Sequence, residues 1–392
     1  MRTTNLIATI AIALPAMLSC RAIVGVEESH LVDAGPSAGG AGSAGTAGSA
    51  GTAGNAGTPG TGGAAGHGGG AACEPPLADC DGQCVDLKTA PQHCGYCGRV
   101  CDNGQCNDGV CMPVHFAPAL GTPREFAVAN DTLYWITDVA RFQKAPVLSG
   151  STNDLFTRGG NPRSLTTTQN HLCWIEGLDG MTDSNSIAVM PLGGGETDVV
   201  LIADNNIKPP AVRLSAFGPN LFFQMRDGAI VPAPIPGGMG GQPIAAPANG
   251  ANGLAANEKW VAASTADAVV AHTLGATQLP IVIAGGLNNP GDLAFAGERL
   301  FFAELGGGVI SSSSIMTPDA KPEWNGLDQP RFLKADSRGV LFKSGNMIAE
   351  LTSDQQKHVI ARVPWCAECS FGFDSAYVYF GDNNEVMKVK RY

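Results

Sequence analysis

Asn130–Ile136 reads NDTLYWI: two turn-forming polar residues, then a hydrophobic run with adjacent aromatics, and Asp138 just beyond. Alone it is one β-strand, since aromatic and β-branched side chains fit a pleated, half-buried surface. Whether it is a single strand or one copy of a repeat decides the architecture. Related stretches recur: QNHLCWIEG ending at Gly177, GPNLFFQMRDG at Gly228, NEKWVAAS at Ser264, GERLFFAELGGG at Gly308, SRGVLFKSG at Gly345 and DSAYVYFGD at Asp382. Their centres fall near positions 135, 174, 223, 261, 302, 342 and 380, so the spacing is close to 40 with one interval of 49. A short apolar or alternating run such as EFAVAN or DLAFAG precedes each copy. A third run, a Gly-rich turn and a fourth run such as TDVVLIAD follow. Four short strands per forty residues, with turn signals between them, describe a propeller blade. No stretch keeps a helical period, so the expected class is all-β.

The chain ends give the expected closure. The last copy, SFGFDSAYVYFGDNNEVMKVKRY, supplies three strands and stops, whereas PVHFAPAL, residues 113–120, is a strand-like run ahead of the first copy. If that run completes the last blade, the ring leaves no long open edge. Residues 112–392 are therefore expected to form a seven-bladed β-propeller of four-stranded blades. The rhythm of aromatic pairs resembles the YWTD and NHL class of propellers found in bacterial surface proteins.

The bulk numbers and the N-terminus place this ring. A net charge of −11 argues against nucleic-acid binding, which needs a basic face, and twelve cysteines point to an oxidising location. After Arg2 comes LIATIAIALPAML, Leu6–Leu18, about the length of a signal-peptide core and too short to span a bilayer. It ends in MLSC. Ser19 before Cys20 resembles the lipobox of bacterial lipoproteins, with Met17 and Leu18 where an aliphatic and a small residue are more common. The resemblance implies cleavage after residue 19 and acylation of Cys20. With Arg21 in place of an acidic residue, it also implies an outer-membrane or surface destination. Residues 20–72 are then a lipidated cysteine followed by a tether of Gly, Ala, Ser and Thr, which has almost nothing to bury and is expected to be disordered. Its Gly-rich part, from about Ala34 to Ala72, has a root-mean-square span of roughly 35 Å. Gly recurs every third residue from Gly42 to Gly63, but with Pro only at Pro59 a collagen helix is not expected.

Residues 73–111 hold Cys73, Cys80, Cys84, Cys94, Cys97, Cys101, Cys106 and Cys111 with few hydrophobic residues between them. A piece this small without a core is held by cross-links or metal. Export favours disulfides over zinc, although His93 beside the Cys94–Cys97 C-x-x-C would serve a metal. The eight cysteines allow roughly a hundred pairings, and spacing does not choose among them. The runs HCGYCGRVC and CNDGVC resemble the cysteine-rich domain of plant stigma-specific proteins, which implies an extracellular spacer or interaction module with no catalytic residue. PWCAEC, with Cys366 and Cys369, is superficially similar to a thioredoxin site, which needs a strand before it and a helix after it. Strand-like sequence follows here, so a structural disulfide is expected. Cys173 is left single, as a small buried hydrophobe.

Chemistry is harder to find. Residues where innermost strands begin and second strands end ring a propeller channel. Here these are Arg124, Arg163 and Arg331 after prolines, with Asp138, Glu176, Glu304 and Asp382 opposite. Such a ring suits a polar ligand or a calcium ion; cross-strand pairing such as Arg163 with Glu176 is the plainer reading. His115, His171, His272 and His358 fall in different blades without a carboxylate at fixed spacing, and no Ser-His-Asp order or phosphate loop is present. The expectation is a non-enzymatic binding or scaffold protein with a protein or glycan partner, held at the membrane by lipid, with no cofactor beyond the calcium option. The alternatives are a metal-assisted lyase of the streptogramin-lyase type, which the blade number resembles, and an envelope assembly factor.

Overall fold

A computed structural model describes residues 73–392, apart from 178–184, 203–210, 237, 239–240, 242, 245–251, 277–278, 365, 367 and 392. Cys20, the signal segment and the Gly-rich tether lie outside the described residues, as does Pro210. Among the described residues there is no helix. The strands from Val114 onward form seven antiparallel sheets, one for each copy of the repeat. Blade one, for example, runs Pro123–Ala129, Thr132–Thr137, Arg141–Pro146 and Asn153–Thr157 from the axis outward. Six sheets have four strands. Blade three has three described ones, Ala211–Phe217, Asn220–Met225 and Ile230–Pro232.

The run NDTLYWI is the first hairpin turn and second strand of blade one. Asn130 and Asp131 take φ of 48° and 54°, the left-handed values of a tight hairpin turn that Asn and Asp tolerate. The strand is hydrophobic on both sides because both faces are covered. Leu133 and Trp135 face back into the cluster shared with blade seven, while Tyr134 and Ile136 face forward into the cluster shared with blade two. The polar tips are met as well: Trp135 Nε1 donates to Gln143 Oε1 at 3.1 Å and Tyr134 Oη to the Leu192 carbonyl at 3.1 Å. The same alternation runs around the ring, giving seven apolar clusters, one at each junction between consecutive blades.

Closure is as the chain ends suggested. Val114–Pro118 is the outermost strand of blade seven, antiparallel to Glu385–Lys390, with Glu385 opposite Pro118 and Lys388 opposite Val114. A buried network fastens blade seven to blade six: Arg391 donates to Asp336 Oδ2 at 2.6 Å and to the Asp374 carbonyl at 2.8 Å, and it also pairs with Glu350.

The cysteine module carries two short hairpins and four disulfides, Cys73–Cys84, Cys80–Cys97, Cys94–Cys106 and Cys101–Cys111. It is not a free bead. Cys94, Cys101 and Cys111 join the apolar cluster between blades six and seven, and the buried Arg99 donates to the carbonyls of Ile360 and Lys390, both at 3.3 Å. Arg99 thus bridges the outermost strand of blade six and the third strand of blade seven. Tyr96 lies on His358 at 5.6 Å, and Asp108 pairs with Arg362 at 3.3 Å at the rim.

Two substitutions test this packing. Replacing Arg99 with Ala removes charge-assisted bonds to two blades and is expected to lower unfolding free energy by about 1–3 kcal/mol in denaturant titrations. Gly253→Ala is expected to cost a similar ~1–3 kcal/mol by overpacking, because an added Cβ would meet the Gly291 carbonyl oxygen of the next blade at 2.1 Å.

Candidate ligand site in the central channel

Five of the seven innermost strands share an irregularity at their start. Register shifts fall between Pro123 and Glu125, Arg163 and Thr166, Ala211 and Arg213, Pro290 and Leu293, and Arg331 and Lys334. A bulge of this kind re-aims side chains. Near the start of each innermost strand an apolar residue is seated against the preceding blade: Phe126, Leu165, Leu254, Leu293, Leu333 and Phe371 are buried, and Leu214 of blade three is partly so. The residue ahead of each apolar one is polar in several blades and bonds forward. Glu125 accepts from the Ser164 amide and Asp292 from the Phe332 amide. These two donors occupy equivalent places in blades two and six, and both adopt positive φ, 55° and 57°. A left-handed non-glycine residue costs about 1–2 kcal/mol, which the carboxylate–amide bond offsets. Arg213 Nε donates to the Asn252 carbonyl at 3.3 Å and lies 3.9 Å from Asp292 Oδ1. Ser370 Oγ accepts from the Phe126 amide at 3.2 Å.

One turn of side chains further along, Lys334 Nζ donates to the carbonyls of Phe371 at 2.6 Å and Phe126 at 2.8 Å, reaching past blade seven to blade one. Burial draws its ammonium down to about 8, against the pull of Glu125 and Asp292. Burial pushes the Glu125 carboxyl above the ordinary glutamate value, against Lys334 and the Ser164 amide. Burial, and then the neighbouring guanidiniums of Arg213 and Arg226, depress Arg163.

These strands surround a central cavity of about 1140 Å³. Arg124, Arg163, Arg331 and Asp138 line it, together with Glu125, Arg213, Asp292 and Lys334. The residues named from sequence do not form one acid–base ring. Asp138 Oδ1 accepts from the Thr122 amide at 2.9 Å, and Glu304 takes the Asn288 amide at 3.4 Å and the Ser311 hydroxyl at 3.3 Å. Glu176 pairs with Arg158 at 3.5 Å, and Asp382 accepts from Asn383 Nδ2 at 3.0 Å. The acids thus hold local donors: two loop amides, a serine hydroxyl, an asparagine side chain and the Arg158 guanidinium. Among the described residues, the trios of His, Cys, Asp and Glu side chains close enough to hold one metal ion are both in the cysteine module, and their cysteines are disulfide-bonded. The four acids do not converge as a calcium site would require. His171 and Glu176 stand at opposite ends of one strand, roughly 17 Å apart at 3.4 Å per residue.

Sequence reasoning missed Glu125, Arg213, Asp292 and Lys334. The signal was present in part, since a charged residue directly before the apolar position recurs in blades one, three and five. The bulge that gives it its place is a matter of backbone register.

The Cys366–Cys369 disulfide clips the approach to blade seven. Buried Lys343 of blade six donates to the carbonyls of Cys366 at 2.6 Å and Cys369 at 3.2 Å, and burial alone lowers its ammonium to about 8. Cys173 is a free, buried thiol, pushed up to about 12 by burial, and so is a packing residue.

No protein-family model matches the chain, and no curated protein matches it. Solved structures do. It is similar to YCF48 bound to D1 peptide, at 12% identity over 72% of this chain and 95% of that one, with a TM-score of 0.53. It is also similar to a chain of the mitotic checkpoint complex, at 13% identity over 71% and 95%, with a TM-score of 0.56. A third similarity is to PorZ, an essential bacterial surface component of the type-IX secretion system of Porphyromonas gingivalis, at 12% identity over 72% of this chain but 39% of that one, with a TM-score of 0.53. At such identities the likeness defines a class, the seven-bladed β-propellers.

A pH titration of stability tests the clip. In the folded protein Lys343 loses its proton near pH 8, whereas an unfolded lysine keeps it to about 10.4. Between these values the unfolded chain binds more protons, so stability rises with pH across that window. Lys343→Met is expected to flatten this rise, measured as denaturation midpoints from pH 7 to pH 10.

Proposed function

We propose that this protein is an exported, lipid-anchored binding propeller that presents its channel to a protein or glycan partner at the cell envelope. The observation that supports it best is the channel itself. Blades one, two, three, five and six each bring an ionisable side chain to one concave space, and such a convergence of polar groups in a sizeable cavity is the usual mark of a ligand site. The lipobox-like MLSC, the tether and the stigma-specific-like cysteine module supply anchor, reach and an oxidised, protease-resistant collar. Two of the similar structures are a propeller with bound peptide and a bacterial surface component, which fits display without fixing the partner. An envelope-assembly role is the same reading with a protein as the ligand. The lyase alternative calls for a histidine and a glutamate close together on the channel, and the separation of His171 from Glu176 gives it no support.

Fractionation tests the anchor: wild type is expected in the membrane fraction and Cys20→Ala in the soluble exported fraction. Equal partitioning of the two would remove lipidation from the account. Affinity purification from intact envelopes, comparing wild type with Asp292→Asn, tests the site. One stoichiometric partner or glycan, lost with the substitution, is the expected result. Retention by both would move the interaction off the channel.

A further inference from the structure

Arg124, Arg163 and Arg331 occupy equivalent places, directly after proline, in blades one, two and six, and all three line the cavity at the same end. Their acid counterparts are engaged elsewhere: Asp138 by the Thr122 amide, Glu176 by Arg158, Glu304 by the Asn288 amide. The arginines are left short of acceptors. Among the described residues the Arg163 side chain makes no hydrogen bond or ion pair, and the charges acting on it are two further guanidiniums, Arg213 and Arg226, opposed by the Glu125 carboxylate. Arg331 reaches the neutral Gln329 Oε1 at 3.0 Å, and its Nε is buried without a partner. The free carboxylates nearby, Asp328 and Glu368, are exposed and hydrated, whereas Arg163 and Arg331 are half-buried. Glu125 already accepts from Ser164. Although carboxylates also line the cavity, Arg163 and Arg331 stand out among its charges as half-buried guanidiniums without a carboxylate partner in hydrogen-bond reach.

We propose that this mouth of the channel binds an oxyanion, a carboxylate or phosphate group carried by the partner, on Arg163 and Arg331 with Arg124 beside them. A planar guanidinium presents paired donors that match such a group, and each charge-assisted bond to it is strong where water is scarce. Arg163 and Arg331 would find their missing acceptors in the ligand, and the repulsion among Arg163, Arg213 and Arg226 would be relieved. The body of the ligand would lie along the channel toward Lys334. This inference rests on the channel being the ligand site and adds the charge of what it takes.

Calorimetric titration of the full chain with inorganic phosphate, and separately with glucuronate, tests it. One saturable site is expected for at least one probe, and which probe binds tells phosphate from carboxylate. Arg163→Gln and Arg331→Gln are each expected to weaken binding about tenfold or more. Arg163→Lys, which keeps the charge but not the fork, should fall between. Lys321→Gln, on an outermost strand, should bind as wild type. Unliganded thermal midpoints show whether each variant is folded, and a misfolded variant is replaced by its lysine counterpart. Absence of binding by both probes, or equal affinity in wild type and the arginine variants, overturns the proposal. If the envelope partner is still captured through the channel while neither probe binds, only the anion inference falls. If partner capture is also indifferent to the channel, both readings fall.

Discussion

Each sheet of this protein is apolar on both faces, and that requirement shapes everything else. A strand such as Leu133–Ile136 sends Trp135 into one neighbour and Tyr134 into the other, so no blade is stable at the end of a row. Only a ring covers both faces of every sheet. The ring in turn needs its last sheet completed, and Val114–Pro118, which comes before the first blade in sequence, does so from the outside. The first and last parts of the propeller are thereby made one sheet. The cysteine module ties that completed sheet to its neighbour, with Arg99 lodged between blades six and seven.

The same geometry makes the site. Near the axis each innermost strand gives one apolar residue to the blade behind it and the preceding residue to the blade ahead. Because the forward-facing residues stand at the edge of a cavity, polar ones are tolerated there, provided their partners are close. Glu125 and Asp292 find theirs in amides turned toward them by positive φ at Ser164 and Phe332. Lys334 finds its partners in the carbonyls of two blades. Arg163 and Arg331 depart from this economy, which sets them apart from the structural charges around them.

Much of the fold was legible in the sequence because hydrophobic rhythm is a direct consequence of burial. The aromatic strands, their spacing and the missing strand of the last blade can all be read from residue types alone. The site was legible only in part. Arg124, Arg163 and Arg331 were visible through the repeated proline before them, and they do line the channel. Their expected pairing with the acids at the ends of the second strands was not found in the contacts, because a carboxylate there sits nearer to loop amides such as that of Thr122 than to a guanidinium on the neighbouring strand. Glu125 and Asp292 were passed over because a bulge, which leaves no mark in composition, decides which residue bonds forward. The docking of Arg99 depends on contacts between segments about 260 and 290 residues apart in sequence, to which local pattern is blind.

Ring closure is the claim on which the channel, and so the site, depends. Native-state hydrogen exchange resolved to individual amides tests it most directly. If Val114–Pro118 is the outer strand of blade seven, its strand-bonded amides and those of Glu385–Lys390 exchange slowly and together, losing protection at the same denaturant concentration as the second strand of blade one. Rapid exchange of Val114–Pro118 beside a protected Glu385–Lys390 would show an open ring and contradict the account.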